Sequence, residues 1–228
     1  MTKTEAILGL NQEYLQLLST GKSYLHSEVL PHWQALQKRA RQAGYNLTAA
    51  SAWRSFERQL AIWNGKALGK IPVYDRHSQA MDLSGLDDEQ KVAAILIWSA
   101  LPGTSRHHWG TDIDVYDAIA VPEGYEVQLT PEESAGPFAP LHAWLDQQIA
   151  AENCEGFYRP FVPGVGAIQP ERWHLSHLPT AHQWQKHFDP ERLRQLLAAS
   201  DLELKDAILA TLPQILEQYV YPYWQEDL

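Results

Sequence analysis

The stretch SRHHWGTDID, from Ser105 to Asp114, places two adjacent histidines, one glycine and two aspartates within ten residues. A turn at Gly110 would bring His107 close to Asp114. In the alternating strand that follows, Asp112 and Asp114 share one face. Such a cluster is either a polar turn that is rich in histidine or half of a metal site. The choice depends on whether the rest of the chain supplies further ligands.

The composition is that of a globular protein of 228 residues, 45% hydrophobic and 20% charged. The formal net charge is -10, and no block of consecutive basic residues occurs. These features exclude nucleic acid and anionic lipid as the principal partner, because both require clustered lysine and arginine. The single cysteine, Cys154, excludes an internal disulfide framework and a thiolate-rich zinc site. Any metal must therefore bind to histidine and carboxylate.

The N-terminal residues alternate apolar and polar types with a helical period, which does not fit a signal peptide. No later apolar stretch is long enough to span a membrane. From the sequence as written we expect a cytoplasmic protein, or a periplasmic or extracellular one if an export segment has been removed.

Helical and strand-like segments follow one another without a repeat, a linker or a shift in composition. Hydrophobic periodicity predicts helices over 4–18, 27–43, 55–63, 87–100 and 138–151, and two more after Pro190, with Pro213 at a start or a kink. Strands are predicted over 45–53, over 111–117 and in short pieces between 156 and 178. Residues 64–86 read as a long surface loop of the kind that borders a cleft. The pattern indicates one α+β domain over 1–228.

The stretch ERWHLSH, residues 171–177, offers the other half of a metal site. His174 supplies a third ligand, and Glu171, three residues earlier, supplies a carboxylate that can take a proton from the water that a catalytic metal activates. Alone, the stretch also fits a surface strand with a solvated glutamate and a half-buried histidine. A pair of His174 and His177 is a rival ligand assignment. We favour His174 because Glu171 precedes it.

A third stretch, SAWRSFERQ at 51–59, places Arg54 at a junction between strand and helix. A fixed guanidinium suits a substrate carboxylate or a developing oxyanion, although an exposed arginine at a helix start is equally common. His108 would point away from a ligand at His107, which favours a structural role. His182 and His187, like His177, follow His174 closely. Four other histidines lack comparable neighbours: His26, His32, His77 and His142.

Together, SAWRS with Gln59, SRHHWGTDID and ERWH resemble the sequence blocks of the VanY-type D-alanyl-D-alanine carboxypeptidases. These belong to a wider group of zinc peptidases that includes D-Ala-D-Ala dipeptidases, lysostaphin-type enzymes and hedgehog-like domains. The pattern S-x-H-x-x-G-x-x-x-D followed by E-x-W-H occurs in the expected order within residues 51–174. The helical tail after about residue 180 lies outside the resemblance.

The resemblance implies an α+β fold, a small central antiparallel sheet flanked by helices, here with a helical C-terminal tail. The catalytic core would span about 27–180 and the helical extension about 181–228. The resemblance also implies one zinc ion bound by three residues, with a general base and an arginine that orients substrate and stabilises the oxyanion. The ligands would be His107, Asp114 and His174, the base Glu171 and the arginine Arg54.

Other residues of the blocks have less defined roles. Ser105, Gln59 and Trp173 are expected to help shape the substrate site. Asp112 departs from the pattern, since many relatives have a small residue there. It either accepts a hydrogen bond from a ligand histidine or competes with Asp114 for the metal, and the spacing from Gly110 favours Asp114 as the ligand.

The sequence therefore predicts a zinc metallopeptidase that removes a C-terminal D-alanine from peptidoglycan-derived peptides of the cell wall. An L,D-carboxypeptidase and an endopeptidase of the endolysin type remain alternatives, because the motifs define the hydrolytic centre and not the residue that it accepts. A zinc-binding interaction domain without catalytic activity is a further alternative. The presence of Glu171 argues against it, because a structural zinc site needs no general base.

Overall fold

Six strands and nine α-helices make up residues 2–224, the part of the chain that the computed structural model describes. The strands are β1 (Leu15–Leu17), β2 (Tyr24–His26), β3 (Leu47–Ser51), β4 (Asp112–Asp117), β5 (Phe157–Tyr158) and β6 (His174–His177). The helices are α1 (Lys3–Ile7), α2 (Leu30–Gln42), α3 (Phe56–Ala67), α4 (Asp88–Leu96), α5 (Pro131–Ala135), α6 (Ala139–Ala150), α7 (Leu178–Gln185), α8 (Pro190–Ala199) and α9 (Lys205–Tyr219).

The central sheet has the strand order β3-β4-β6-β5, and every neighbouring pair is antiparallel. Strand β4 lies inside this sheet, where Asp114 is opposite Ser51 of β3 and opposite His174 of β6. A register shift interrupts the pairing with β3 beside Ser51. The two histidine-containing motifs are thus neighbours in the sheet although they lie far apart in the sequence.

The two faces of β4 differ in chemistry because successive side chains point to opposite sides. Ile113 and Val115 are buried on one face and share an apolar cluster with Leu175 of β6. Side chains of α2 and α6 cover that face: Trp33, Leu36, Ala40, Leu141 and Leu145. The opposite face carries the polar residues Asp112 and Asp114.

A second apolar cluster joins the N-terminal helix and α3 and α4 to the C-terminal helices α8 and α9. Its buried members include Ile7, Trp63, Ile95, Leu193 and Ile208. A short 3-10 turn, Tyr221–Tyr223, continues α9. The polar face of the sheet and this helical cluster together enclose the cavity described below.

The α+β fold with a central antiparallel sheet flanked by helices is confirmed, as is a helical C-terminal part. The prediction of a helix over 4–18 is wrong beyond its first turn, because α1 ends at Ile7 and residues 15–17 form a strand. Gly9 explains the break: its φ of +80° is left-handed, and a Cβ there would lie 2.8 Å from the backbone nitrogen of Phe56. The chain turns at Gly9 and leaves the helix.

Two further differences concern helices. Helix α7 was not predicted from the sequence; its residues immediately follow β6. The alternative that Pro213 starts a helix is wrong, since this residue lies inside α9. Among the helices within residues 2–224, none combines the length and the apolar character that crossing a bilayer requires.

Gly110 fixes the turn between the motif histidines and β4. It follows the 3-10 turn Arg106–Trp109 and has a φ of +70°. A Cβ at this position would lie 2.6 Å from Leu15 Cδ2 and 2.9 Å from the backbone nitrogen of His26. That nitrogen donates a hydrogen bond to the carbonyl of Gly110 (2.8 Å), so the backbones cannot easily separate.

We expect Gly110→Ala to destabilise the protein more than Gly21→Ala. Both glycines have a φ of +70°, but a Cβ at Gly21 would meet nothing within 4 Å. The left-handed backbone costs both variants about 1–2 kcal/mol, and overpacking adds about 1–3 kcal/mol for Gly110→Ala alone. Urea denaturation of the two variants measures the difference. Equal losses would show that the close approach at Gly110 relaxes without cost.

Candidate metal centre

Three donor side chains converge on the polar face of the sheet: His107, Asp114 and His174. His107 Nε2 lies 3.1 Å from Asp114 Oδ2, and His174 Nδ1 lies 3.0 Å from Asp114 Oδ1. One ligand atom from each of the three lies within 4.8 Å of the others, and all three residues are buried. Two imidazoles and one carboxylate are a donor set that suits a catalytic zinc ion, with a coordination position left for water or substrate. The residues present therefore fit a single divalent metal ion.

The backbone sets the positions of these donors. His107 lies in the turn that Gly110 terminates, and Asp114 and His174 are register partners in β4 and β6. His107 Nδ1 is 2.7 Å from the carbonyl oxygen of Ala52. Because a carbonyl oxygen only accepts, Nδ1 must carry a proton, which leaves Nε2, the nitrogen that faces Asp114, as the one that can bind a metal.

Asp112 binds His174 through the other ring nitrogen. Asp112 Oδ2 lies 2.8 Å from His174 Nε2 and also accepts a hydrogen bond from Arg106 Nε (2.8 Å). Asp112 Oδ1 accepts hydrogen bonds from Thr111 Oγ1 (2.6 Å) and Ser176 Oγ (2.8 Å). Burial alone would raise the pKa of Asp112, yet Arg106 and His174 hold it well below the usual range. Both oxygens are thus occupied, which favours a role in orienting His174 over competition with Asp114.

Glu171 lies beside the same group of donors. Its Oε2 is 3.5 Å from His174 Nδ1, the nitrogen that faces Asp114. Burial raises the pKa of Glu171 to about 7; nearby His174 opposes the increase and the negative charge of Asp114 adds to it. A carboxyl group with a pKa near neutrality can accept and release a proton at physiological pH.

Arg54 reaches the site from the junction between β3 and α3. Its guanidinium donates hydrogen bonds to Gln59 Oε1 (2.8 Å) and Ser51 Oγ (3.2 Å). Gln59 Nε2 in turn donates to the carbonyl oxygen of Ala100 (2.7 Å). Gln59 is not among the cavity-lining side chains of the described residues, so the structure places it behind Arg54 and not in contact with the cavity.

The other motif residues divide between the cavity wall and its support. Ser105 and Trp173 line the cavity, and Trp173 stacks on Trp98 with ring centroids 6.3 Å apart. His108 accepts a hydrogen bond from the Gly103 nitrogen and donates one to the Arg54 carbonyl, and burial lowers its pKa to about 3. His108 is therefore a neutral structural residue.

His177 does not take part in the cluster. It lies three positions from His174 in β6, and side chains at odd separations in a strand point to opposite faces. Its ring contacts Phe157 and His32, with centroid separations of 5.2 and 4.5 Å. The rival assignment of His177 as a ligand does not fit this placement.

A cavity of about 470 Å³ opens over the metal donors. Tyr74 and Ser78 of the loop predicted over 64–86 contribute to its wall. Further residues that line the cavity were not predicted from the sequence: Lys66, Trp98, Phe161, Tyr219, Tyr223 and Trp224. Lys66 was predicted to lie in the loop over 64–86, which is wrong for residues 64–67, because α3 continues to Ala67 and carries Lys66 seven residues after Gln59. The C-terminal aromatic residues had no local signal.

Tyr223 connects the C-terminal turn by hydrogen bonds to the loop that carries Glu171. Its hydroxyl accepts a hydrogen bond from the Ile168 nitrogen (2.7 Å) and donates one to the Val165 carbonyl (2.9 Å). Gly166 leaves the room that the tyrosine ring occupies, since a Cβ there would overlap it. The C-terminal part thereby forms a wall of the cavity and supports one of its loops.

Comparison with known proteins agrees with this architecture. Two uncharacterized proteins of Haemophilus influenzae are similar to the chain. One is 45% identical over 100 residues, which cover 42% of this chain and 68% of the relative. The other is 32% identical over 124 residues, which cover 53% of this chain and 92% of the relative.

Two solved structures share the fold at 22% sequence identity. VanYB in complex with D-alanine-D-alanine superposes with a TM-score of 0.52 over 85% of this chain and 94% of its own. A mutant of the vancomycin-resistance D,D-pentapeptidase VanY, in complex with Zn(II), gives a TM-score of 0.51 over 87% and 92%.

The sequence profile of the VanY family, described as D-alanyl-D-alanine carboxypeptidase, matches residues 22–180. That match includes all three sequence blocks and every donor of the candidate metal centre. The chain therefore belongs to the VanY family of D-alanyl-D-alanine carboxypeptidases.

Proposed function

We propose that this protein is a zinc-dependent carboxypeptidase that removes a C-terminal D-alanine from peptidoglycan-derived peptides. The observation that carries the proposal is the position of Glu171, 3.5 Å from the nitrogen of His174 that faces Asp114, at the floor of a cavity. A metal donor set next to a carboxyl group with a near-neutral pKa is the arrangement of a hydrolytic centre. The ligands of the solved relatives, D-alanine-D-alanine and Zn(II), support this substrate class and this metal.

His107, Asp114 and His174 would hold the zinc ion. When bound there, zinc supplies Lewis acidity, which lowers the pKa of a coordinated water and polarises the carbonyl of the scissile bond. Asp112 prepares His174 for this role, because a carboxylate that only accepts keeps the proton on Nε2. Nδ1 faces a carboxylate oxygen of Asp114, and a zinc ion bound there would displace the proton that Nδ1 shares with that oxygen.

Glu171 would act as general base and then as general acid. Its carboxylate takes a proton from the attacking water, and the resulting carboxyl group delivers that proton to the leaving amine. Burial supports the first step, because it raises the pKa of Glu171 above the usual range of a carboxyl group and so makes its carboxylate a stronger base than one in water. This glutamate also separates the proposal from a purely structural metal site.

Arg54 would orient the scissile carbonyl and stabilise the negative charge that develops on its oxygen. Ser51 and Gln59 each accept one hydrogen bond from its guanidinium, so the side chain is held before substrate arrives. A guanidinium has five N–H donors, and those not bound to Ser51 and Gln59 remain for the substrate. A charge fixed in advance needs no reorganisation during the reaction.

We expect Glu171→Gln to retain one zinc ion and to lose at least about 100-fold in kcat, because the amide cannot accept the proton. The assay measures zinc content and release of D-alanine from muramyl tri-, tetra- and pentapeptides. Cleavage of the pentapeptide indicates D,D-carboxypeptidase activity, and cleavage of the tetrapeptide indicates L,D-carboxypeptidase activity. Glu57→Gln, an exposed change on α3, is the control and should keep full activity. Equal activity of the wild type and Glu171→Gln, or a wild type that cleaves none of these peptides, contradicts the proposal.

We expect Asp112→Asn to weaken zinc binding by about 10- to 100-fold. The new amide can donate to His174 Nε2, which moves the ring proton to Nδ1 and blocks the ligating lone pair. Competition with a chromophoric chelator measures the affinity, and thermal unfolding checks the fold. Asp117→Asn, at the other end of β4, is the control, because its amide oxygen can still accept from the nitrogens of Asn46 and Ile119. Unchanged zinc affinity in Asp112→Asn would refute the orienting role.

A further inference from the structure

We infer that Lys66 binds the C-terminal carboxylate of the peptide substrate and thereby restricts the site to the ends of peptides. This inference rests on the proposed function and adds a residue that none of the three sequence blocks includes. A carboxypeptidase has to recognise one charged group that an internal peptide bond lacks. The geometry points to Lys66 as the side chain that does so.

Lys66 lies near the end of α3, half-buried in the wall of the cavity. Its Nζ donates a hydrogen bond to Ser99 Oγ (2.6 Å), and Ser99 also lines the cavity. Within residues 2–224, no carboxylate oxygen lies within 4.0 Å of Nζ. Removing an ammonium group from water costs free energy, and a neighbouring anion offsets that cost. A substrate carboxylate would supply the missing partner.

The other cations of the cavity wall have different partners. Arg106 forms a buried ion pair with Asp112 (2.8 Å). Arg54 is bound to Ser51 and Gln59 next to the metal donors. Among the lysine and arginine side chains that line the cavity in the described part of the chain, Lys66 is the one left for a second anionic group.

Helix α3 carries Lys66 and also Gln59, the residue that accepts a hydrogen bond from Arg54. Gln59, which holds Arg54, and Lys66 are seven residues apart, or about 10.5 Å along the helix axis at 1.5 Å per residue. Residues seven apart lie on the same side of a helix after two turns. Arg54 and Lys66 line the same cavity, so the two cations can bind the scissile carbonyl and the terminal carboxylate, which are separated by one residue of the peptide.

The surrounding charges favour a cation at this place. Glu171 and Asp114 face the same cavity and repel a substrate carboxylate. Burial lowers the pKa of Lys66, and the charge of Glu171 opposes that shift. A carboxylate bound to Nζ would further stabilise the ammonium form, so binding and charge reinforce each other.

The test compares two peptides that end in D-Ala-D-Ala, one with a free carboxylate and one with a C-terminal amide. We expect the wild type to prefer the free acid. Lys66→Met should lower kcat/KM for the acid by about 10- to 100-fold, mainly through KM, because a charged hydrogen bond is lost. Its kcat/KM for the amide should stay within about twofold of the wild type. Lys66→Arg should recover part of the preference, and Lys70→Met, an exposed neighbour, should behave as the wild type.

A binding measurement separates this inference from the proposed function. Calorimetric titration of zinc-loaded Glu171→Gln with each peptide gives the two affinities without turnover, and the double variant with Lys66→Met should lose the preference for the acid. If the wild type cleaves neither peptide but this loss occurs, the proposed reaction fails and the carboxylate site stands. If the wild type cleaves both peptides equally, the reaction stands and the inference is overturned.

Two further results would overturn the inference. Equal losses for acid and amide in Lys66→Met would show that the lysine acts through Glu171 or through the fold. If Lys66→Met does not fold, Lys66→Gln replaces it, because the amide keeps a hydrogen bond to Ser99 without the charge. An unchanged preference for the acid in Lys66→Gln would then refute the role of the ammonium.

Discussion

The antiparallel pairing of β4 with β6 is the constraint on which the rest of the site depends. It sets Asp114 opposite His174 and Asp112 opposite Ser176. A slip of one residue would exchange the two faces of β4, because side chains alternate along a strand, and would turn Ile113 toward the cavity. The burial of Ile113 against the helices on the other face therefore holds the metal donors in place as well as the core.

Two neighbouring aspartates of β4 have different environments and hence different chemistry. Both carboxylate oxygens of Asp112 accept hydrogen bonds, and Arg106 forms an ion pair with it. These contacts offset the cost of burying its charge. Among residues 2–224, the side-chain partners of the Asp114 carboxylate are the rings of His107 and His174, so this carboxylate remains available to a cation. The cavity thus has negatively charged residues where a metal would bind. It has two positively charged residues, Arg54 and Lys66, where the substrate would bind. This separation of charge allows a metal ion and a peptide carboxylate to bind close together.

The candidate metal donors could be identified from the sequence because their signal is local. His107 and Asp114 flank a glycine turn, and Glu171 precedes His174 by three residues, so short spacings carry the information. The cavity wall is different: Lys66 falls in the loop predicted over 64–86, and only the structure extends α3 far enough to include it. Tyr223 reaches the loop near Ile168 from 55 residues away. Such contacts depend on tertiary packing, which hydrophobic periodicity does not encode. The helix predicted over 4–18 was wrong for a related reason. The chain turns at Gly9, where it lies so close to the backbone of Phe56 that a Cβ would not fit, and the local sequence does not show this contact.

The C-terminal wall has a consequence for the order in which the cavity forms during synthesis. The metal donors and Arg54 are all translated before residue 175, but Tyr223 and Trp224, which line the same cavity, follow roughly fifty residues later. At about 5–20 residues per second, the ribosome needs several seconds to add them. Until then the loop near Ile168 lacks its tyrosine partner, and one side of the cleft is open to water. The nascent chain thus contains every metal donor before the residues that close its cleft are added.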